Sequence, residues 1–245
     1  MSKSTKTVKS QARQERAAAL LRQQQAAERR RNIMVVGAVV VAMALIVGVL
    51  FFINASRDSS DDIDAAPAGA SEWGLTIGDA DAPHEVVIYE DFLCSYCGQL
   101  ERESGKDLNR LAEAGKVQVE YRPFNLLDNE YSIGAANAFA VLLEESGPEV
   151  AKKFHDLVFE DQPSESSGLP GSDWLLEKAV EAGADEDAVK AGIEGLEKQE
   201  WVDGATKAAG DAGVNSTPII LLDGEVFQDG RTIEEMTENL VAELE

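Results

Sequence analysis

Hydrophobic and polar positions change period several times along the chain, and each change marks a predicted element. From Ile33 to Ile53 run 21 residues that are all Gly or hydrophobic. At about 1.5 Å rise per residue a helix of that length crosses a hydrocarbon core of about 30 Å, so the run predicts a transmembrane helix. Asn54 to Ala70 turns to Ser, Asp and Ala and reads as a flexible tether. The folded domain is expected from Glu72. Trp73–Gly78 predicts a short first strand, and Glu85–Glu90 a β-branched, buried one. Leu100, Leu108 and Leu111 then share a helical face, with Gly115 placed to end the helix. Lys116–Arg122 alternates like a strand. Between Ser132 and Ala212 the period is helical throughout. The runs Ser132–Ser146, Pro148–Glu160, Ser172–Ala182, Asp185–Gly195 and Glu197–Ala212 predict helices, with Gly147 and Gly213 as stops. Pro218–Leu222 returns to a fully apolar strand run, Asp223-Gly224 signals a hairpin, and Glu225–Gln228 is its second arm. Ile233, Met236, Leu240 and Leu244 line a last helix.

The order is strand, helix, strand, a helical block at about 131–212, hairpin and helix, which predicts an α/β fold. Four segments follow from this reading: a tail over 1–32, a transmembrane helix over 33–53, a flexible linker over 54–71, and a domain over 72–245.

Charge orients these segments. The 245 residues hold 22 Lys and Arg against 45 Asp and Glu. Residues 1–32 carry nine of the basic side chains and only Glu15 and Glu28 as acids, so the remainder carries a formal charge of −30. A surface this acidic repels polyanions, which excludes a nucleic-acid partner. Arg29, Arg30 and Arg31 stand before the apolar run; Asp58, Asp61, Asp62 and Asp64 follow it. Positive-inside asymmetry places the N-terminus in the cytoplasm and the domain beyond the cell membrane, on a single-pass anchor. A cleaved signal peptide is the rival reading. Its apolar region would exceed the usual ~7–15 residues, and the first Ala-x-Ala match, Ala66-Pro67-Ala68, lies well past the run.

The candidate chemistry is Cys94-Ser95-Tyr96-Cys97, which holds the only two cysteines. A lone CxxC supports a redox dithiol or half of a zinc site. Zinc would need two more ligands, yet the chain offers only His84 and His155, neither in a ligand-spaced cluster, and His155 reads as a surface or half-buried helix residue. No metal and no cofactor are expected. A structural disulfide closing so short a loop constrains the unfolded chain little. Redox cycling remains. Cys94 falls at or before the first turn of a helix, where free N–H groups and the dipole favour thiolate, so Cys94 is the expected nucleophile. Cys97, one turn later and less exposed, is the expected resolving thiol. Ser95 can add a hydroxyl hydrogen bond; Tyr96 adds no positive charge. Phe92 and Tyr96 frame a candidate substrate groove, with core packing as the alternative. Trp73, Trp174 and Trp201 are expected to pack.

The stretch Tyr89–Cys97, the distant Gly213-Val214-Asn215-Ser216-Thr217-Pro218 and the helical block between them resemble the DsbA-like thioredoxin-fold disulfide oxidoreductases, in particular the membrane-anchored actinobacterial type. The resemblance covers about residues 72–245. It implies a thioredoxin-like sheet with an inserted helical subdomain. It also implies a cis Thr217–Pro218 bond facing the cysteines, with Thr217 and Pro218, beside Ser95 and Tyr96, contacting a bound peptide. The implied partners are unfolded or reduced exported proteins and a membrane quinone-linked reoxidase. Two departures bear on redox direction. Ser-Tyr stands where the best-known oxidants have Pro-His, and Ile88 stands six residues before Cys94, where such enzymes often carry a buried acid. Glu90 and Asp91 lie close to that position, and the sequence leaves open which of them, if either, substitutes. A reductase or isomerase, or a redox-inert binding module, are the alternative readings.

Overall fold

The computed structural model describes residues 63–166 and 168–245. The expected tail and transmembrane helix, residues 1–32 and 33–53, lie outside the described residues. No helix among the described residues is long and apolar enough to cross a membrane.

Five strands form one mixed sheet: β1 (Leu75–Ile77), β2 (His84–Glu90), β3 (Val117–Pro123), β4 (Ile219–Leu222) and β5 (Glu225–Val226), in the order β1-β3-β2-β4-β5. β2 and β3 run parallel, with Val86 opposite Val119 and Ile88 opposite Tyr121. α1 (Ser95–Glu113) is the crossover that a parallel pair requires. β4 lies antiparallel on the other side of β2, with Ile88 opposite Ile220.

β2 is central and buried on both faces, which is why its sequence is almost continuously apolar. Val86 and Ile88 join Leu100, Leu108, Leu111 and, from α7 (Ile233–Leu244), Leu240 and Leu244 on one face. Val87 and Tyr89 face Ala205 and Ala209 of α6 (Gln199–Asp211) on the other. The predicted helical block is α2 (Glu130–Glu145), α3 (Pro148–Glu160), α4 (Ser172–Ala182), α5 (Glu186–Glu194) and α6. Its apolar faces share a cluster with Phe92, Leu93, Cys94 and Cys97, so this block roofs the cysteine pair.

Capping explains the shifted helix bounds. Asn129 accepts from Ser132 N and starts α2 two residues before the expected Ser132. Asp185 caps α5 from outside it. β1 and β5 are shorter than the expected Trp73–Gly78 and Glu225–Gln228. Trp73 leaves the sheet to pack edge-on against Trp201, with ring centroids 6.0 Å apart.

The linker expected over 54–71 ends earlier. From Ile63 the chain lies on the domain: Ile63, Ala65 and Ala68 pack beside β2 and β4. The cause is Arg122, a nearly buried guanidinium at the end of β3. It donates to the carbonyls of Ala66 (2.8 Å) and Pro67 (2.9 Å) and pairs with Glu120 at 2.8 Å. A buried cation needs such acceptors, and the extended segment supplies them.

Candidate active site

The site is built where β2 gives way to α1. After Glu90 the chain turns through Asp91, Phe92 and Leu93, and Cys94 sits at the N-cap of α1 with extended backbone. Asp91 holds this turn. Its buried carboxylate accepts from Leu93 N, Leu126 N and Leu127 N, each at 2.9 Å, and from Ser132 Oγ at 2.5 Å. With four hydrogen bonds accepted, Asp91 ties the turn to the β3–α2 connection.

Both cysteines are free thiols. Their environments differ. Cys94 Sγ lies 3.5 Å from Thr217 O, to which the thiol donates, and the Thr217–Pro218 bond is cis. The Cys94 thiol is lowered to about 6, first by a hydrogen bond from Cys97, against an opposing effect of burial, and then by Thr217 and the backbone amides of Cys97 and Tyr96. The buried Thr217 hydroxyl has no partner among the described residues in the dithiol form and can donate to the ionised sulfur. Cys97 is wholly buried. Burial, then Cys94 and the charge of Glu90, push its thiol well above the ordinary value.

Ser95 is exposed, and Tyr96, 62% exposed, projects into solvent beside the sulfur. Phe92, expected as a possible groove wall, is core: its ring stacks on Phe159 with centroids 5.1 Å apart. Trp174 and Trp201 pack against the same cluster.

Four contributors were not singled out from the sequence. Gln162, in the α3–α4 loop, donates from Nε2 to Cys94 O and Phe92 O, both at 2.9 Å. Gly98 makes that approach possible, since a Cβ there would lie 2.1 Å from Gln162 Oε1. Glu165 accepts from Ser95 N at 3.0 Å and so occupies one of the amides that a helix end turns toward an anion. The fourth is Glu101, one turn beyond Cys97 on the buried face of α1. The Cys97, Leu100, Glu101, Ser104, Leu108 spacing marks that face, and an acid within it is the signal that could have flagged the residue.

The reading of His155 as a surface or half-buried residue is corrected, as is its lack of ligand-type neighbours. It is completely buried on α3. Ala151, Phe154, Val158 and Phe159 form one apolar stripe, and His155 lies in it. Its Nε2 meets Glu90 Oε1 at 2.6 Å and its Nδ1 meets Asp156 Oδ1 at 3.0 Å. Burial alone would lower this imidazole. The Glu90 carboxylate and the hydrogen bonds to Asp156 and Glu90 outweigh that and push it up to about 9. Glu101 is pushed up to about 7 by burial and then by the charge of Glu90, with His155 opposing. Ile88 points into the core, so Glu90, two residues later, is the buried acid whose charge reaches Cys97.

The comparisons agree with this geometry. A family model described as "Thioredoxin" matches residues 70–242. No curated protein sequence matches at a comparable level. Among solved structures, the chain is similar to the reduced form of the disulfide bond oxidoreductase DsbG from Mycobacterium tuberculosis, with 29% identity and a TM-score of 0.60, covering 72% of this chain and 88% of that one. It is also similar to oxidised DsbA from the same organism, with 27% identity and a TM-score of 0.58, covering 70% and 90%. BdbD from Bacillus subtilis, at 18% identity, TM-score 0.63 and coverage of 75% and 98%, shares the fold. With the family model spanning most of its length, the chain belongs to the thioredoxin family, among its DsbA-like thiol-disulfide oxidoreductases.

Proposed function

We propose that the protein is a membrane-anchored oxidase of exported polypeptides, in which Cys94 carries the disulfide to substrate and Cys97 resolves it. The observation that carries this reading is the contrast between the two thiols. Cys94 is lowered to about 6 at a helix end beside Thr217, and Cys97 is buried and raised. In the disulfide form, a substrate thiolate attacks Cys94 Sγ. The S–S bond breaks, and Cys97 leaves as a thiolate and takes up a proton. A second substrate thiol, losing its proton, then attacks the mixed disulfide. Cys94 departs as the stabilised thiolate, and substrate leaves oxidised by two electrons. Stabilising the reduced product makes the enzyme disulfide more oxidising. Thr217 and Pro218 are the proposed partners of the substrate backbone, with Ser95 and Tyr96 at the rim, a reading supported by Thr217 O lying 3.5 Å from Cys94 Sγ. Each cycle leaves the dithiol, which a membrane quinone-linked partner or a small-molecule oxidant would recharge. The apolar run at 33–53 is the proposed anchor, with the N-terminus cytoplasmic.

A weaker oxidant, working as a reductase or isomerase, is favoured by one contact. The Glu165 carboxylate on Ser95 N sets negative charge beside the nascent thiolate. The test is trapping. In Cys97→Ala the Cys94 thiolate can attack disulfides of exported proteins, the reverse of the step above. With no Cys97 thiol to resolve the adduct, mixed disulfides should accumulate in cells and be abolished by a further Cys94→Ala. An absence of such adducts would overturn the proposal.

A further inference from the structure

Behind the cysteines, three buried side chains from three elements converge. Glu90 ends β2, Glu101 lies on α1 and His155 on α3, and one ligand atom of each lies within 4.8 Å of the others. Glu90 Oε2 and both carboxylate oxygens of Glu101 receive no hydrogen bond from any described residue, and Glu101 is only 7% exposed. Two carboxylates brought together out of water are stabilised by positive charge or by a proton on one of them. His155 serves one oxygen of Glu90, and two further cations nearby are engaged elsewhere. Lys152 bonds Asp156 and lies over the Tyr121 ring, while Arg102 donates to Phe159 O at 2.8 Å.

His155 is oriented as a ligand. Asp156 holds Nδ1, which directs Nε2 at the carboxylates, the arrangement in which an outer carboxylate fixes a metal-bound imidazole. A cavity of about 200 Å³, lined by Glu101, Asp156, Arg102, Lys106 and Glu160, lies on the Glu101 side of the cluster and gives a place for water. One nitrogen and two carboxylates suit Zn²⁺ or Co²⁺, while Ca²⁺ takes about six to eight oxygens.

We propose that Glu90, Glu101 and His155 form a binding site for one divalent ion of the Zn²⁺ class, completed by water from this cavity. The test uses the purified full chain with Cys94 and Cys97 oxidised, so that no thiolate competes. Co²⁺ is titrated and followed by its visible absorption, Zn²⁺ is used to displace it, and stoichiometry comes from equilibrium dialysis. One Co²⁺ per chain is expected, displaced by Zn²⁺ and weakened about 10–100-fold by Asp156→Asn. Glu101→Gln is the deciding variant. It removes a partnerless carboxylate while keeping its shape, and its circular dichroism and thermal midpoint are checked against wild type. It should lose the site. No stoichiometric Co²⁺ in the oxidised wild type, or undiminished binding in Glu101→Gln, would overturn the proposal, the latter placing the metal on the acidic surface.

Discussion

Replacing Cys97 by Ala should raise the titration midpoint of Cys94, because the largest contribution to the lowered thiol is the hydrogen bond from Cys97. At pH 7 a thiol at about 6 is about nine-tenths ionised, against about 3% for an unperturbed one near 8.5. A hydrogen bond to a charged group contributes about 1.5–3 kcal/mol. At about 1.36 kcal/mol per pKa unit, its loss moves the midpoint by about 1–2 units, to about 7–8, and leaves about 10–50% thiolate at pH 7. Cys94 is nearly buried, so solvent screening takes little from this figure. The thiolate's ultraviolet absorbance against pH measures the midpoint, and alkylation rates across the same range check it. Cys97→Ser, which keeps an O–H donor, should return the midpoint toward that of the wild type. An unchanged midpoint in Cys97→Ala would assign the effect to the helix end and Thr217 alone, and a wild-type Cys94 titrating near 8.5 would refute the asymmetry.

Other expectations follow from the same geometry. Between about pH 6 and 9 the reduced domain holds Cys94 as thiolate while the unfolded chain still binds that proton, so the dithiol form should gain stability as pH rises through this window and lose it as pH falls through 6. The reduction potential should accordingly fall by about 30 mV per pH unit there and about twice that below 6, and one slope throughout would contradict it. His155→Gln removes the imidazolium partner of the buried Glu90 carboxyl, at a cost of about 3–5 kcal/mol. For a domain of this size that lowers the thermal midpoint by about 6–20 °C with a chelator present. Glu90→Gln added to His155→Gln should recover part of the loss, and a drop within error of zero would remove the ion pair from the account. Arg122→Met deletes the donor to Ala66 O and Pro67 O, so limited proteolysis should cut residues 63–70 faster than in wild type while β2 and β3 stay protected.

The sheet strands and the helical block were legible because burial on both faces writes a continuous apolar run at β2 and a 3.6-residue period along each helix. Cys94 and Cys97 were legible from spacing and from the strand that precedes them. The pairing of His155 with Glu90 was not, because it joins residues 65 positions apart and neither residue alone signals a partner. His155 nevertheless stood in the stripe of Phe154, Val158 and Phe159, and Glu101 in that of Leu100 and Leu108, so polar residues on buried faces carried the clue. The docked segment from Ile63 looked like linker for a related reason. Its order comes from acceptors for Arg122, which composition does not encode.

The reduction potential of the Cys94–Cys97 pair, equilibrated against glutathione at pH 7, separates an oxidase from a reductase. Stabilisation of the Cys94 thiolate predicts a value clearly more oxidising than the roughly −270 mV of thioredoxin. A value at or below that level would contradict an oxidase and favour a reductase built on the same fold.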